Sequence, residues 1–190
     1  MKRGLLLIDI QNDYFEGGRF ELYHSEEAAD QTAKILSFFR KNNMPVFHVQ
    51  HISTKEDAIF FLPETAGAEI YKGVYPVERE AIIVKHTPDS FLDTTLKKSL
   101  DDAGITDLVV CGMMTHMCVD TTVRAAKKLG YHVTLIEDAC ATRDLVYDRE
   151  VIPASTVQKT FMASLNGSFA DIVKADEWIK EMFDTETVRN

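Results

Sequence analysis

Leu108-Val-Val-Cys-Gly-Met-Met-Thr-His-Met-Cys118-Val-Asp-Thr-Thr-Val-Arg-Ala-Ala is an apolar run that turns at Gly112 and re-emerges with helical spacing. A short continuous run of Leu and Val ending at a glycine reads as a strand buried on both faces, and the pattern after it as a helix that covers the sheet. Cys118 therefore falls where a strand has ended and a helix is beginning. Free backbone N–H groups and the positive end of the helix dipole favour a thiolate there, the nucleophilic form of cysteine. A free cysteine is also among the most buried residue types and commonly packs as a small hydrophobe, so a nucleophilic role requires a base and a cation from elsewhere in the chain.

Outward from this stretch the same alternation continues. Leu5 to Ile8, Val46 to Val49, Ala81 to Val84, Tyr131 to Ile136 and Phe169 to Val173 read as further strands. Helical patterns fall between them. One starts at Ser25, runs to about Asn42 and carries Ala29, Ala33, Leu36 and Phe39 on its apolar face; one runs from about Asp93 to Ala103 and stops at Gly104. A third, opened by Cys118, ends at Gly130. Residues 137–143 read as a loop and 148–165 as a helix with Pro153 in its first turn or at a kink. A last amphipathic helix around Trp178 leads to a polar, frayed tail. Alternating strands and helices imply right-handed βαβ crossovers. The expected fold is α/β: three-layer α/β/α with a six-stranded, mainly parallel, Rossmann-like sheet, as one domain over 1–190. Residues 53–80 lack a long periodic pattern, and so long an irregular connection is more often functional than idle.

Composition bounds the partners. With 190 residues, 45% hydrophobic and 27% charged, the chain is large enough to bury one proper core. A formal net charge of −9 argues against a nucleic-acid backbone or an anionic membrane as main partner and leaves small ligands open. Cys111, Cys118 and Cys140, an odd number in a chain that needs no staples, read as reduced thiols and hence as a cytoplasmic protein. The basic start is followed by only four apolar residues before Asp9, a first strand rather than a signal peptide, and no stretch approaches membrane-spanning length.

In a parallel sheet ligands bind beyond the carboxyl ends of the strands. There the first strand presents Asp9, the third Lys85 and the fourth the turn to Cys118. An aspartate after a strand is commonly a cap, and a lysine there is commonly solvated. Each, however, follows an apolar run without a break, where an unpaired charge is costly, and mutual pairing beside a cysteine solves that problem.

The chain resembles the isochorismatase-like cysteine hydrolases, a family that includes nicotinamidase, N-carbamoylsarcosine amidase and ureidoacrylate amidohydrolase. The residues carrying the resemblance are Leu6-Leu-Ile-Asp9-Ile-Gln-Asn-Asp13-Tyr-Phe, Lys85 with Ser90-Phe91 downstream, Gly112-Met-Met-Thr115-His-Met-Cys118-Val119, and Asp138-Ala-Cys-Ala141. The resemblance implies an Asp9–Lys85–Cys118 catalytic triad, a cis peptide at Met113–Met114, and an oxyanion hole made by the N–H groups of Met114 and Cys118. It implies cleavage of a small amide through a thioester, and assembly into dimers or tetramers. It makes Asp13 a brace for its loop rather than a reactant. Nicotinamidases hold a metal through an Asp-x-His pair and further histidines just after the second strand. This chain reads His48-Val-Gln50-His51 there, without the aspartate, so no metal or other cofactor is expected. On an alternating strand only one of His48 and His51 faces the cleft.

Tyr14, Phe15, Phe60, Phe61, Phe91 and Tyr147 are loop aromatics near the strand ends, expected to wall the pocket or else to serve core or subunit contacts. Thr115 and Thr121 read as structural hydrogen-bonders, and Cys111 and Cys140 as inert core. Two rival functions remain. Isochorismate-type vinyl-ether hydrolysis is disfavoured because relatives with that chemistry do not keep the cysteine. A redox-sensing or non-catalytic cysteine leaves Asp9 and Lys85 without a task.

Overall fold

The computed structural model describes residues 2–187. The expected polar tail falls partly outside them. Six strands, β1 (Arg3–Ile8), β2 (Val46–His51), β3 (Ala81–Lys85), β4 (Asp107–Met113), β5 (His132–Ala141) and β8 (Asp171–Val173), form one sheet in the order β3-β2-β1-β4-β5-β8. All of its pairings are parallel.

The continuous apolar runs follow from helices on both faces. In β1, Leu5 and Leu7 point into a core shared with α1 (Ser25–Lys41) and α5 (Ala175–Thr187), where Phe39 stacks on Trp178 with centroids 5.6 Å apart. Leu6 and Ile8 point into the opposite core, shared with α2 (Leu96–Asp102), α3 (Asp120–Lys128) and α4 (Ala154–Leu165). In α1 the buried face is Ala28, Ala29, Thr32, Ile35, Leu36, Phe38 and Phe39, so Ala33 sits beside it rather than on it. Gly112 has φ +148°, and a Cβ there would run into the backbone of Ile8, so only glycine lets β4 lie this close to β1.

Three expectations need correction. Residues 148–152 are not helical. Leu145–Tyr147 (β6) and Glu150–Ile152 (β7) pair antiparallel around Asp148 and Arg149, which both adopt left-handed φ (48° and 67°), the geometry of a two-residue hairpin turn. Pro153 precedes α4 rather than entering it, and Asp144 Oδ1 accepts the Ala154 N–H at 2.7 Å. The loop expected at 137–143 is mostly strand: past a register shift, Gly112 pairs with Cys140 and Met113 with Ala141. Asp138 accepts the Ala175 N–H at 2.9 Å and so anchors the start of α5. Finally, α2 begins at Leu96 rather than Asp93, whose φ of 53° is incompatible with a right-handed helix.

A second cluster of charge fixes the run-up to β3. Arg40 grips Glu80 with two hydrogen bonds (Nε to Oε1 2.8 Å, a terminal nitrogen to Oε2 2.7 Å), and His48 Nε2 lies 2.9 Å from the same Oε2. Burial acts to raise the Glu80 carboxyl, but Arg40, the Val77 N–H and His48 hold it down to about 2. Its contribution is therefore complete above the ordinary carboxylate range and is lost as pH falls from 4.5 through about 2. Glu80→Gln is expected to cost about 2 kcal/mol, lowering Tm at neutral pH by roughly 4–8 °C. In calorimetry that deficit should shrink toward pH 2; a deficit independent of pH would contradict this account.

Candidate active site

Strand register assembles the site. Ile8 is paired with Val49 and with Gly112, and His51 with Lys85, so the carboxyl ends of β1, β2, β3 and β4 finish side by side. Asp9 follows β1 directly in a left-handed conformation (φ 52°), which aspartate tolerates better than most residues. Lys85 closes β3. Cys118 lies in a single π-helical turn, Thr115–Val119, between β4 and α3, entered through a cis Met113–Met114 peptide.

The three side chains meet without water-exposed surface to spare. Asp9 Oδ2 is 2.7 Å from Lys85 Nζ, and both side chains are wholly buried. The same ammonium lies 3.2 Å from Cys118 Sγ, 2.9 Å from His51 Nδ1 and 3.0 Å from the Thr87 carbonyl oxygen. Apart from the ion pair, neither Asp9 oxygen has a hydrogen-bond partner among the described residues. Burial works against the Lys85 charge, but Asp9 and Cys118 outweigh it and raise its pKa, so the lysine is a cation that only donates. His51 is pushed down to about 4, first by burial and then by Lys85, and is neutral near pH 7. Its Nδ1 accepts from the lysine, which leaves the ring proton on Nε2.

The sulfur's resting state differs from the expectation drawn from its helix position. Burial and the Asp9 charge push the Cys118 thiol up, and Lys85 recovers only part of the shift, so the resting group is a neutral thiol. At such depth, desolvation of an anion outweighs the N–H groups of one turn.

A cavity of about 360 Å³ opens onto this cluster, with Tyr14, Phe60, Phe61, Met114 and Met117 as walls and His51 and Cys118 at the reacting end. The segment 53–61 supplies one side of it, including Ser53, Lys55 and Ile59. Asp13 holds that side in place: its Oδ2 accepts the Phe61 N–H at 2.7 Å, and a Cβ at Gly67 would strike its carboxylate. Of the aromatic residues expected at the pocket, Tyr14, Phe60 and Phe61 line it. Phe15 does not: it stacks face to face on Tyr71 at 3.7 Å, within the core against α1. Phe91 is drawn to the other face of the sheet, stacked on Tyr131 at 6.0 Å. Tyr147 stands on the β6–β7 hairpin, 78% exposed.

Of the two histidines on β2, His51 faces the site and His48 the Glu80 cluster, as strand alternation requires. His51 was the most legible of the remaining site residues, since it shares a face with Val49 and pairs with Lys85. Met117, Ile59 and Lys55 carried no signal. Thr115 Oγ1 donates to Gln158 Oε1 at 2.7 Å, but in α3 the threonine that ties the site loop is Thr122, 2.8 Å from Ser90 Oγ, rather than Thr121. Cys111 is sealed in the core, Cys140 is buried beside a separate cavity, and burial pushes both thiols up, Cys140 to about 12.

Asp9, His51 and Cys118 offer donor atoms within 4.8 Å of one another, spacing that a metal ion could use. The Lys85 ammonium already lies 2.7–3.2 Å from an atom of each of the three, so a second cation does not fit beside it.

The protein is thus of the three-layer α/β/α class, with a buried acid, lysine and cysteine at the carboxyl edge of a parallel sheet. The isochorismatase domain model matches residues 3–177, and the chain belongs to the isochorismatase family of hydrolases. It is 49% identical over 180 residues to the uncharacterized isochorismatase family protein YddQ of Bacillus subtilis, covering 95% of this chain and all of that one. Ureidoacrylate amidohydrolase RutB of Variovorax paradoxus is 24% identical, over 93% of this chain and 79% of its own. The crystal structure of a putative isochorismatase hydrolase from Oleispira antarctica superposes with a TM-score of 0.91 at 47% identity, covering 94% of this chain and 96% of that one.

Proposed function

We propose that this hydrolase cleaves the C–N bond of a small amide by thiol acylation, with Cys118 as nucleophile, Asp9 as general base and Lys85 as electrostatic support. One observation carries it: a single buried ammonium touches both Asp9 and Cys118, at 2.7 and 3.2 Å, beside a cavity. The neutral thiol gives its proton to Asp9 as the sulfur attacks the carbonyl carbon, and Lys85 offsets the charge forming on sulfur. The oxygen anion of the tetrahedral intermediate is held by the N–H groups of Met114 and Cys118, where one donor is worth about 10²–10³ in rate. Asp9 returns the proton to the departing nitrogen, ammonia or an amine leaves, and water then hydrolyses the thioester. No step requires a metal.

Ammonia release and intact-mass analysis over a panel of small amides, ureas and carbamoyl compounds test the reading. A transient acyl adduct should appear on the native protein and be missing from Cys118→Ala. Lys85 can be probed without a substrate: because its charge lowers the thiol pKa, Lys85→Ala should raise the pH at which iodoacetamide alkylates Cys118. An unchanged alkylation profile would remove Lys85 from the mechanism.

A further inference from the structure

Tyr14 is among the most deeply buried large side chains of the protein, 1% exposed. Its ring is fully explained by packing: it lies 4.6 Å from Phe61, 5.8 Å from Phe60 and 6.4 Å from Phe20. A phenylalanine would serve that packing equally well. Its hydroxyl is not explained, because none of the side-chain hydrogen bonds among the described residues includes it. Nor is it sealed away. Among the described residues the sealed side-chain polar atoms without a partner are those of Asp9 and Gln31, and Tyr14 lines the cavity beside Cys118, to which its oxygen is open. A buried hydroxyl without a protein partner is uncommon and points to a ligand that completes it.

We infer that the Tyr14 hydroxyl is a specificity-determining donor that hydrogen-bonds an acceptor atom on the acyl portion of the substrate, next to the carbon Cys118 attacks. This rests on the amidohydrolase reading above and narrows its substrate class. Burial, with the nearby Cys118 and Asp9, pushes the phenol well above its ordinary value, so it donates throughout the accessible pH range. His51 adds a second neutral donor at the same end of the cavity, since Lys85 occupies its Nδ1 and its Nε2–H has no partner among the described residues. The walls are Phe60, Phe61, Met114 and Met117. Ser53, Lys55, Asp57 and His86 also line the cavity, Lys55 and Asp57 on its exposed side, so the two neutral donors at the Cys118 end select, on the acyl portion, a further lone-pair acceptor, a carbonyl oxygen or ring nitrogen, within a few bonds of the scissile carbonyl. A purely hydrocarbon acyl group would leave both donors unpaired, and sites built to hydrogen-bond discriminate strongly against such analogues.

Tyr14→Phe isolates the hydroxyl, and two alkylating probes make the test independent of the natural substrate. Iodoacetamide places a carbonyl oxygen next to the carbon that the sulfur attacks; iodoethane has no acceptor. The rate of each at Cys118 is read by intact mass with peptide mapping, and the iodoacetamide-to-iodoethane ratio is compared between the native protein and Tyr14→Phe. The ratio should fall roughly tenfold in the variant, with Tm unchanged or slightly raised, because no protein hydrogen bond is lost. An unchanged ratio overturns the inference. Equal loss of both rates together with a lower Tm overturns it as well, since that is the signature of a packing role. Failure of Cys118→Ala to reduce amide turnover strikes the nucleophile assignment instead, so the two readings fail by different results.

Discussion

Cys118→Ala is expected to lower amide turnover by on the order of 10⁵-fold, the scale on which removal of a covalent nucleophile acts when the rest of the site is intact. The fold should tolerate the change. Cys118 donates nothing structural that another group depends on: Lys85 keeps Asp9, His51 and the Thr87 carbonyl when the sulfur is gone. The measurement is ammonia release with the first amide found to turn over, alongside a thermal melt. Undiminished product formation in a folded variant would overturn Cys118 as the nucleophile. Neither Cys111 nor Cys140 can stand in for Cys118, because Cys111 is sealed in the core and Cys140 borders a different cavity, beside Ala141 and Thr142.

Asp9→Asn should separate reactivity from catalysis. The carboxylate raises the Cys118 thiol pKa while Lys85 lowers it, so replacing the anion with a neutral amide leaves the lysine's pull unopposed. Iodoacetamide should then alkylate Cys118 faster near pH 7 than in the native protein. Amide hydrolysis should nevertheless fall by about 10²–10⁴, since the asparagine neither takes the thiol proton nor returns one to the leaving nitrogen. Breaking a buried ion pair by removing one partner also costs about 3–5 kcal/mol, so the melt must be run beside the kinetics. Alkylation that slows instead would contradict this electrostatic account of the thiol, and hydrolysis unchanged in a folded Asp9→Asn would show that Asp9 does not act as the base. Lys85→Ala is the mirror case, with both reactivity and hydrolysis expected to fall.

The resting thiol also bears on how the site works before substrate arrives. With the sulfur protonated and its lysine bound to Asp9 and His51, the cluster stores a proton rather than a free thiolate. His51 stays neutral down to about pH 4, so its acceptance of a Lys85 N–H persists through mildly acidic conditions. Protonation of His51 would set two cations 2.9 Å apart, so the Lys85–His51 hydrogen bond is lost only as the pH approaches that value.

Legibility differed by the kind of signal. Asp9, Lys85 and Cys118 were readable because each ends or follows an apolar run, and strand ends in a parallel sheet share one edge. The brace at Asp13 was readable only through resemblance; its grip on the Phe61 amide spans 48 residues of sequence. Phe15, Phe91 and Tyr147 could not be sorted from Tyr14 and Phe61 by sequence, because an aromatic ring in a loop carries no mark of which face of the sheet it folds onto. The hairpin at 145–152 was hidden for a related reason. Val146, Val151 and Ile152 suit a strand, but the left-handed pair Asp148–Arg149 lacks the glycine that usually announces such a turn.

What the sequence determined by itself was the alternation of strand and helix, and with it the edge at which an acid, a lysine and a cysteine arrive. That information is local, written in apolar periodicity and in the residues that interrupt it. What only the tertiary structure decided was the state of the opening cysteine and the company it keeps. Depth of burial makes Cys118 a thiol, register places His51 against the Lys85 ammonium, and packing leaves the Tyr14 hydroxyl without a protein partner beside the cavity. Each depends on distances between residues far apart in the chain, which no local pattern encodes.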